Sequence, residues 1–180
     1  MIYYHVISDT PKSKGDRLLL DDQHPNGVYK RVYACMDTVE DIYRQPEKYE
    51  ATELSHAVHV ALRELALEEI RKEKYPRCPS RMASLYVSKT YEEAERWGEY
   101  FSRLGRPTYG IAKIRVTGNR YVGDAYKCFD GTLSKEENMR MAALYWANGQ
   151  NEDGHPPIVE ILVDGDIEIL EIVKEINANV

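Results

Sequence analysis

Cysteine is scarce in this sequence, with three among 180 residues, and Cys35, Cys78 and Cys128 stand too far apart to spell a metal-binding spacing. A sparse, odd set excludes a disulfide scaffold and points to a reducing compartment. No stretch comes near the roughly 18 consecutive apolar residues that a membrane helix needs. The opening Met1-Ile2-Tyr3-Tyr4-His5-Val6-Ile7-Ser8 lacks the basic start and long apolar run of a secretory signal, so a cytoplasmic location is expected. Positive charge is also short: 24 Lys and Arg against 30 Asp and Glu leave a net charge of −6. That excludes a global basic field for gripping nucleic acid, and leaves only a local basic surface built from Arg77, Arg81, Arg103, Arg106, Arg115 and Arg120. The glycine-rich phosphate loop, the G-x-S-x-G elbow and the His-Glu-x-x-His zinc motif are all missing. His56 and His59 share a helix face, but no carboxylate or cysteine completes a metal set with them.

What is present is a globular composition, 43% hydrophobic and 30% charged. The length suits a single domain over residues 1–180, since domains run to ~100–200 residues and no repeat or linker divides the chain. Tyr3 to Ile7 predicts a first strand, closed by the turn-prone Ser8-Asp9-Thr10-Pro11. Leu18-Leu19-Leu20 reads as a short strand and Gln23 to Gly27 as a loop. Residues 37–45 predict a short helix capped by Asp37 and ended by Pro46.

From Thr52 to about Lys74 apolar residues recur at helical spacing, which predicts one long helix; Pro76 and Pro79 then force the connector Pro76-Arg77-Cys78-Pro79-Ser80-Arg81. Residues 83–88 predict a strand running into a helix that starts at the capping box Thr90-Tyr91-Glu92-Glu93 and stops at Gly105. Residues 109–116 alternate as a strand, and Tyr121-Val122 begins another. Ser134-Lys135-Glu136-Glu137 is a second capping box, opening a helix to about Asn148. After a polar loop, residues 158–163 and 167–173 predict two strands around Asp164-Gly165, which reads as a hairpin turn or as a bend into an edge strand. Strands early and late with helices between them predict an α+β fold with a mainly antiparallel sheet.

One residue stands out chemically. Glu160 lies in Pro157-Ile158-Val159-Glu160-Ile161-Leu162-Val163, and strand alternation puts it on one face with Ile158 and Leu162. A carboxylate there either points outward or faces a cleft where its charge is used. Glu168 and Glu171, in the next strand, have the look of edge decoration.

Taken together, Tyr4-His5-Val6, Leu85-Tyr86-Val87-Ser88 with Ala94 and Trp97 on the following helix, and Val159-Glu160-Ile161-Leu162-Val163 resemble the ADP-ribosyltransferase superfamily, in its His, Tyr, Glu branch. The ending Glu160 to Ile167 looks like that of DarT-type DNA ADP-ribosyltransferases. The block Glu69-Ile70-Arg71, Tyr75-Pro76, Pro79-Ser80-Arg81 and Leu85-Tyr86-Val87 resembles an uncharacterised family known only as DUF2441. In the ADP-ribosyltransferases the second aromatic is usually tyrosine, where this chain has Trp97.

The transferase resemblance implies a split, mainly antiparallel sheet core with flanking helices, and NAD⁺ as substrate. It implies that Glu160 is the catalytic carboxylate, that His5 holds the adenosine ribose, and that Tyr86 and Trp97 wall in the nicotinamide. Arg81, just before the Tyr86 strand, would meet a phosphate or the acceptor, or else be a solvated loop charge. The implied acceptor is a macromolecule, nucleic acid or protein, and a toxin or effector role with a neutralising partner protein follows at family level. The alternatives are a nucleotide- or partner-binding module without catalysis and an RNA 2′-phosphotransferase.

Overall fold

The computed structural model describes residues 1–8 and 10–176; Asp9, in the expected turn after the first strand, lies outside the described residues. Seven strands and five helices follow in the order β1 (Ile2–Ser8), β2 (Arg17–Leu20), α1 (Gly27–Tyr33), α2 (Met36–Arg44), α3 (His56–Lys74), β3 (Leu85–Val87), α4 (Tyr91–Arg103), β4 (Thr108–Thr117), β5 (Arg120–Asp124), α5 (Lys135–Ala147), β6 (Val159–Val163) and β7 (Gly165–Glu175). Every strand pair is antiparallel, so the fold is α+β with antiparallel sheets. There are two sheets, one ordered β1-β4-β7-β2 and the other β3-β6-β5. They meet where Tyr4 of β1 and Ser88, just past β3, exchange backbone hydrogen bonds of 2.9 and 2.8 Å.

Alternation along the strands builds the layers. Tyr3 and Ile7 of β1, Val87 of β3, Ile161 and Val163 of β6, and Ile167 and Ile169 of β7 share one core between the sheets. On the outer face of the first sheet, Tyr4 and Val6 meet Ala94 and Trp97 of α4. On the outer face of the second, Leu162 meets Ala66, Leu67 and Ile70 of α3 and Tyr145 and Trp146 of α5. The strands read from sequence thus have both faces covered, which is why β6 is apolar nearly throughout.

The capping box at Thr90 forms as its residues predict: the hydroxyl accepts from Glu93 N at 3.2 Å, and the Glu93 carboxylate accepts from Thr90 N at 3.2 Å. Thr90→Ala should cost about 1 kcal/mol, lowering the melting temperature by roughly 2–4 °C in a chain of this size; a thermal denaturation scan checks it.

Several boundaries differ from the sequence reading. α2 begins one residue early, with Cys35 at its cap, so Asp37 sits in the first turn instead of capping. α3 starts at His56, after Ser55, and Thr52 to Leu54 stay outside it. α1 carries no strong periodic signal, and its start is set by tertiary contacts. Asn26 accepts from Val28 N at 2.8 Å, while its amide donates to the carbonyls of Arg81 and Ser84 at 2.8 and 2.7 Å.

The largest correction concerns Asp164-Gly165. The two strands it joins do not pair with each other: β6 lies between β3 and β5, whereas β7 lies between β4 and β2 in the other sheet. The junction is a crossing between sheets, neither a hairpin nor an approach to an edge. Gly165 has φ +82°, and a Cβ there would run into Thr117 O, just as one at Gly118 would run into Asp164 O. The backbones pass too closely for any other residue. Glu168 therefore decorates an interior strand, where Arg115 of β4 pairs with it at 2.8 Å.

Candidate functional site

Three elements deliver charge to one buried point on the helix-covered face of the second sheet. Alternation in β6 puts Glu160 on the face of Leu162, beneath α3 and α5. Glu64 interrupts the apolar stripe of α3 and is 2% exposed; Arg81, from the connector before β3, is 7% exposed, and Glu160 is 8% exposed. The connector is held in place from behind: Arg71 donates to Glu68 through Nε at 3.0 Å and Nη2 at 2.7 Å and to Cys78 O at 3.0 Å, and Ser80 Oγ donates to Glu68 at 2.7 Å. Glu68, Arg71, Cys78, Ser80 and Arg81 thus act together, fastening the segment that inserts Arg81.

Four of the five N–H groups of the Arg81 guanidinium are engaged. Its Nε donates to Glu64 Oε2 at 2.9 Å, Nη2 reaches Glu64 Oε1 at 3.4 Å, and Nη1 donates to Glu160 Oε1 at 2.5 Å and to Tyr145 Oη at 2.9 Å. Tyr145 in turn donates to Glu160 Oε1 at 2.6 Å. The Arg81 guanidinium also lies 5.1 Å from the ring centre of Tyr145 and 5.4 Å from that of Tyr86.

Burial alone would push the Glu64 carboxyl up, but Arg81 and Arg63 outweigh it and hold the group below its ordinary value. Burial works to lower Arg81, yet Glu160 and Glu64 raise it well above the ordinary arginine value. Burial drives the Tyr86 and Tyr145 phenols far upward, keeping both protonated. The same cause pushes the nearby Cys128 thiol up to about 11, so this cysteine is a poor nucleophile at neutral pH.

Both contacts on Glu160 from charged or hydroxyl donors fall on Oε1, and Oε2 accepts no hydrogen bond from a described residue. Among the described residues Ser84 Oγ is the one side-chain polar atom both sealed from solvent and unpartnered; Glu160 Oε2 therefore meets the small remaining opening.

The other expected site residues fall as follows. Tyr86 joins the group, its ring against Arg81. His5 is linked to it at one remove: the Tyr86 carbonyl can only accept, so His5 Nδ1 donates to it, at 2.9 Å. His5 shares its strand face with Tyr3 and Ile7, on the side between the sheets, whereas Glu160 lies on the helix side. The imidazole and the carboxylate thus approach β3 from opposite faces. Trp97 is not brought to this group. It packs on the outer face of the first sheet, with ring centres 5.8 Å from both Tyr100 and Phe101. Its helical position, set by α4's need to cover Val6 and Ile111, points it away from β3. Trp97→Ala should lower the melting temperature by roughly 4–8 °C, the effect of about 2 kcal/mol of lost packing; a melting scan checks it.

Arg81 is not a solvated loop charge: it is buried, and four of its five N–H groups are turned to Glu64, Glu160 and Tyr145. Sequence reasoning missed Glu64 and Tyr145. A carboxylate in the apolar stripe of α3, in step with Ala61 and Leu67, was the available signal for Glu64, the same signal that marked Glu160. Tyr145 has no comparable mark. A separate cavity of about 440 Å³ lies on the far side of the connector, lined by Tyr29, Tyr43, Glu68, Ser80 and Met82, with Glu160 not among its walls. Among the described residues no three His, Cys, Asp or Glu side chains gather to hold a metal, and no helix is long and apolar enough to cross a membrane.

The block around Arg81 agrees with the comparison to known families. The family model described as protein of unknown function (DUF2441) matches residues 3–175. The chain belongs to the DUF2441 family. No curated protein matches it. The DUF2441 match spans β1 to β7 and therefore takes in every element of the buried centre.

Proposed function

We propose that this DUF2441 protein is an NAD⁺-dependent ADP-ribosyltransferase whose reacting carboxylate is Glu160. The observation that carries the reading is the state of that carboxylate: buried, charged-partnered through Oε1, and with Oε2 turned to the remaining opening. Cleavage of the nicotinamide–ribose bond passes through an oxocarbenium-like state, as in glycoside hydrolysis. Oε2 is suited to accept a hydrogen bond from the ribose 2′-hydroxyl and to face the positive charge that grows on the ring. Glu64 is paired with both Arg63 and Arg81, whereas Glu160 shares Arg81 alone, so of the two carboxylates Glu160 is the less neutralised. Tyr86 supplies an aromatic wall beside that point. His5, donating to the Tyr86 carbonyl, holds β3 against β1 at the junction of the sheets.

The same geometry weighs against an RNA 2′-phosphotransferase, which depends on basic groups open to a phosphate, since Arg81 is buried and turned to Glu64, Glu160 and Tyr145. The reading includes a macromolecular acceptor and, at family level, a toxin role with a neutralising partner. Its test is incubation with labelled NAD⁺ and separate pools of DNA, RNA and protein. Label is expected in one pool with the wild type and in none with Glu160→Gln. If the wild type labels no pool and releases no nicotinamide, the enzymatic reading falls and a binding module takes its place.

A further inference from the structure

We propose that Glu64 is a positioning residue for Glu160: by occupying one edge of the Arg81 guanidinium, it prevents Arg81 from closing on both carboxylate oxygens and so keeps Oε2 open to substrate. This rests on the reading of Glu160 as the reacting carboxylate. Arginine and carboxylate favour a fork of two parallel N–H···O bonds. Arg81 makes that fork with Glu64, through Nε and Nη2, and reaches Glu160 through Nη1 alone. The single contact leaves half of the Glu160 carboxylate uncommitted. Tyr145 reinforces the asymmetry by donating to the same oxygen that Arg81 uses.

Glu64 is itself prevented from swinging away. Arg63 Nε donates to its Oε1 at 3.0 Å, and Arg63 is tied through Nη1 to Phe129 O at 3.2 Å. Burial beneath α3 and α5 adds rigidity, and the two arginines keep the group ionised despite that burial. Charge is the property that matters. An uncharged amide at position 64 fills the same space but holds a guanidinium less strongly than a full carboxylate does. Arg81 would then turn its fork to Glu160 and take Oε2.

Glu64→Gln is the test, with Glu64→Asp as the charge-keeping control. Glu64→Gln is expected to lower the NAD⁺ turnover number about 100-fold with KM within threefold, and its crystal structure should show Arg81 bonded to both oxygens of Glu160. Glu64→Asp should retain at least a tenth of wild-type turnover and the single Arg81–Glu160 contact. A Glu64→Gln structure in which Arg81 still touches Oε1 alone overturns the proposal, whatever the turnover. Should Glu64→Gln fail to fold, a Glu64→Asp loss as large as that of Glu160→Gln overturns it instead. A wild type without NAD⁺ turnover sinks the enzymatic reading, a separate result from the geometry seen in the crystal.

Discussion

Glu160→Gln should reduce NAD⁺ turnover on the order of 1000-fold, the upper range for removing one preorganised electrostatic contact at a reaction centre. The amide keeps the shape of the side chain and can still accept at one oxygen. It loses the negative charge that faces the developing cation, and it presents an N–H₂ that competes with the substrate hydroxyl as a donor. Because the charge matters most in the transition state, the loss should fall on kcat, with NAD⁺ affinity changed only a few-fold. Single-turnover release of nicotinamide, compared with binding by calorimetry, separates the two. A variant that keeps wild-type turnover would remove Glu160 from the chemistry altogether. Folding must be checked alongside, since Arg81 and Tyr145 both contact this carboxylate.

Arg81→Met should destabilise the protein by about 3–5 kcal/mol, because it leaves two carboxylates buried without their shared cation. At roughly 2–4 °C per kcal/mol for a chain of this length, the melting temperature should fall by roughly 6–20 °C. The pH dependence gives the sign. The Glu64 carboxyl is held below its ordinary value in the folded protein, so its stabilising contribution is present above its unfolded value of about 4.3 and is lost as pH falls through the folded value. In Arg81→Met burial acts on Glu64 with only Arg63 to oppose it, so the gap between variant and wild type should narrow as pH drops through the carboxylate range. Urea unfolding at pH 7 and near pH 4 measures this. Replacing the whole group, as in Glu64→Leu with Arg81→Met and Glu160→Leu, should recover most of the stability while abolishing turnover, since apolar packing substitutes for a buried ionic set far better than half of that set does.

Local signals in the sequence were legible where local chemistry decides. The capping box at Thr90 starts α4 one residue later, Ser134 caps α5 through its hydroxyl alone while Glu137 turns to Arg140, and the two prolines of the connector end α3 where they must. Glu160 was visible because a carboxylate in a run of Ile, Leu and Val violates the strand's own pattern. Its partners were not. Arg81 lies in a polar-looking connector, and nothing near it in sequence says that it is driven inward by Glu68, Ser80 and Arg71 fastening the segment from behind. Glu64 interrupts the apolar stripe of α3, but the many charges on the rest of that helix masked the signal. Sheet membership was equally out of reach: Asp164-Gly165 announces a change of direction, but which strands β6 and β7 pair with depends on segments far back in the chain. Trp97 lies apart from Glu160 for a related reason, because α4 packs on the outer face of the first sheet whereas Glu160 lies under α3 and α5 on the second.

The crossing at Gly165 has a consequence for how the molecule is made. β6 and β7 follow one another without a loop, and each is an interior strand of a different sheet. A ribosome delivers this stretch after every strand it must pair with, so neither sheet has its centre until β6 and β7 emerge. The nascent polypeptide also lacks the Glu160 carboxylate until that moment, leaving Arg81 without one of its two anions. The buried ionic group and the two sheets would therefore be completed in a single event.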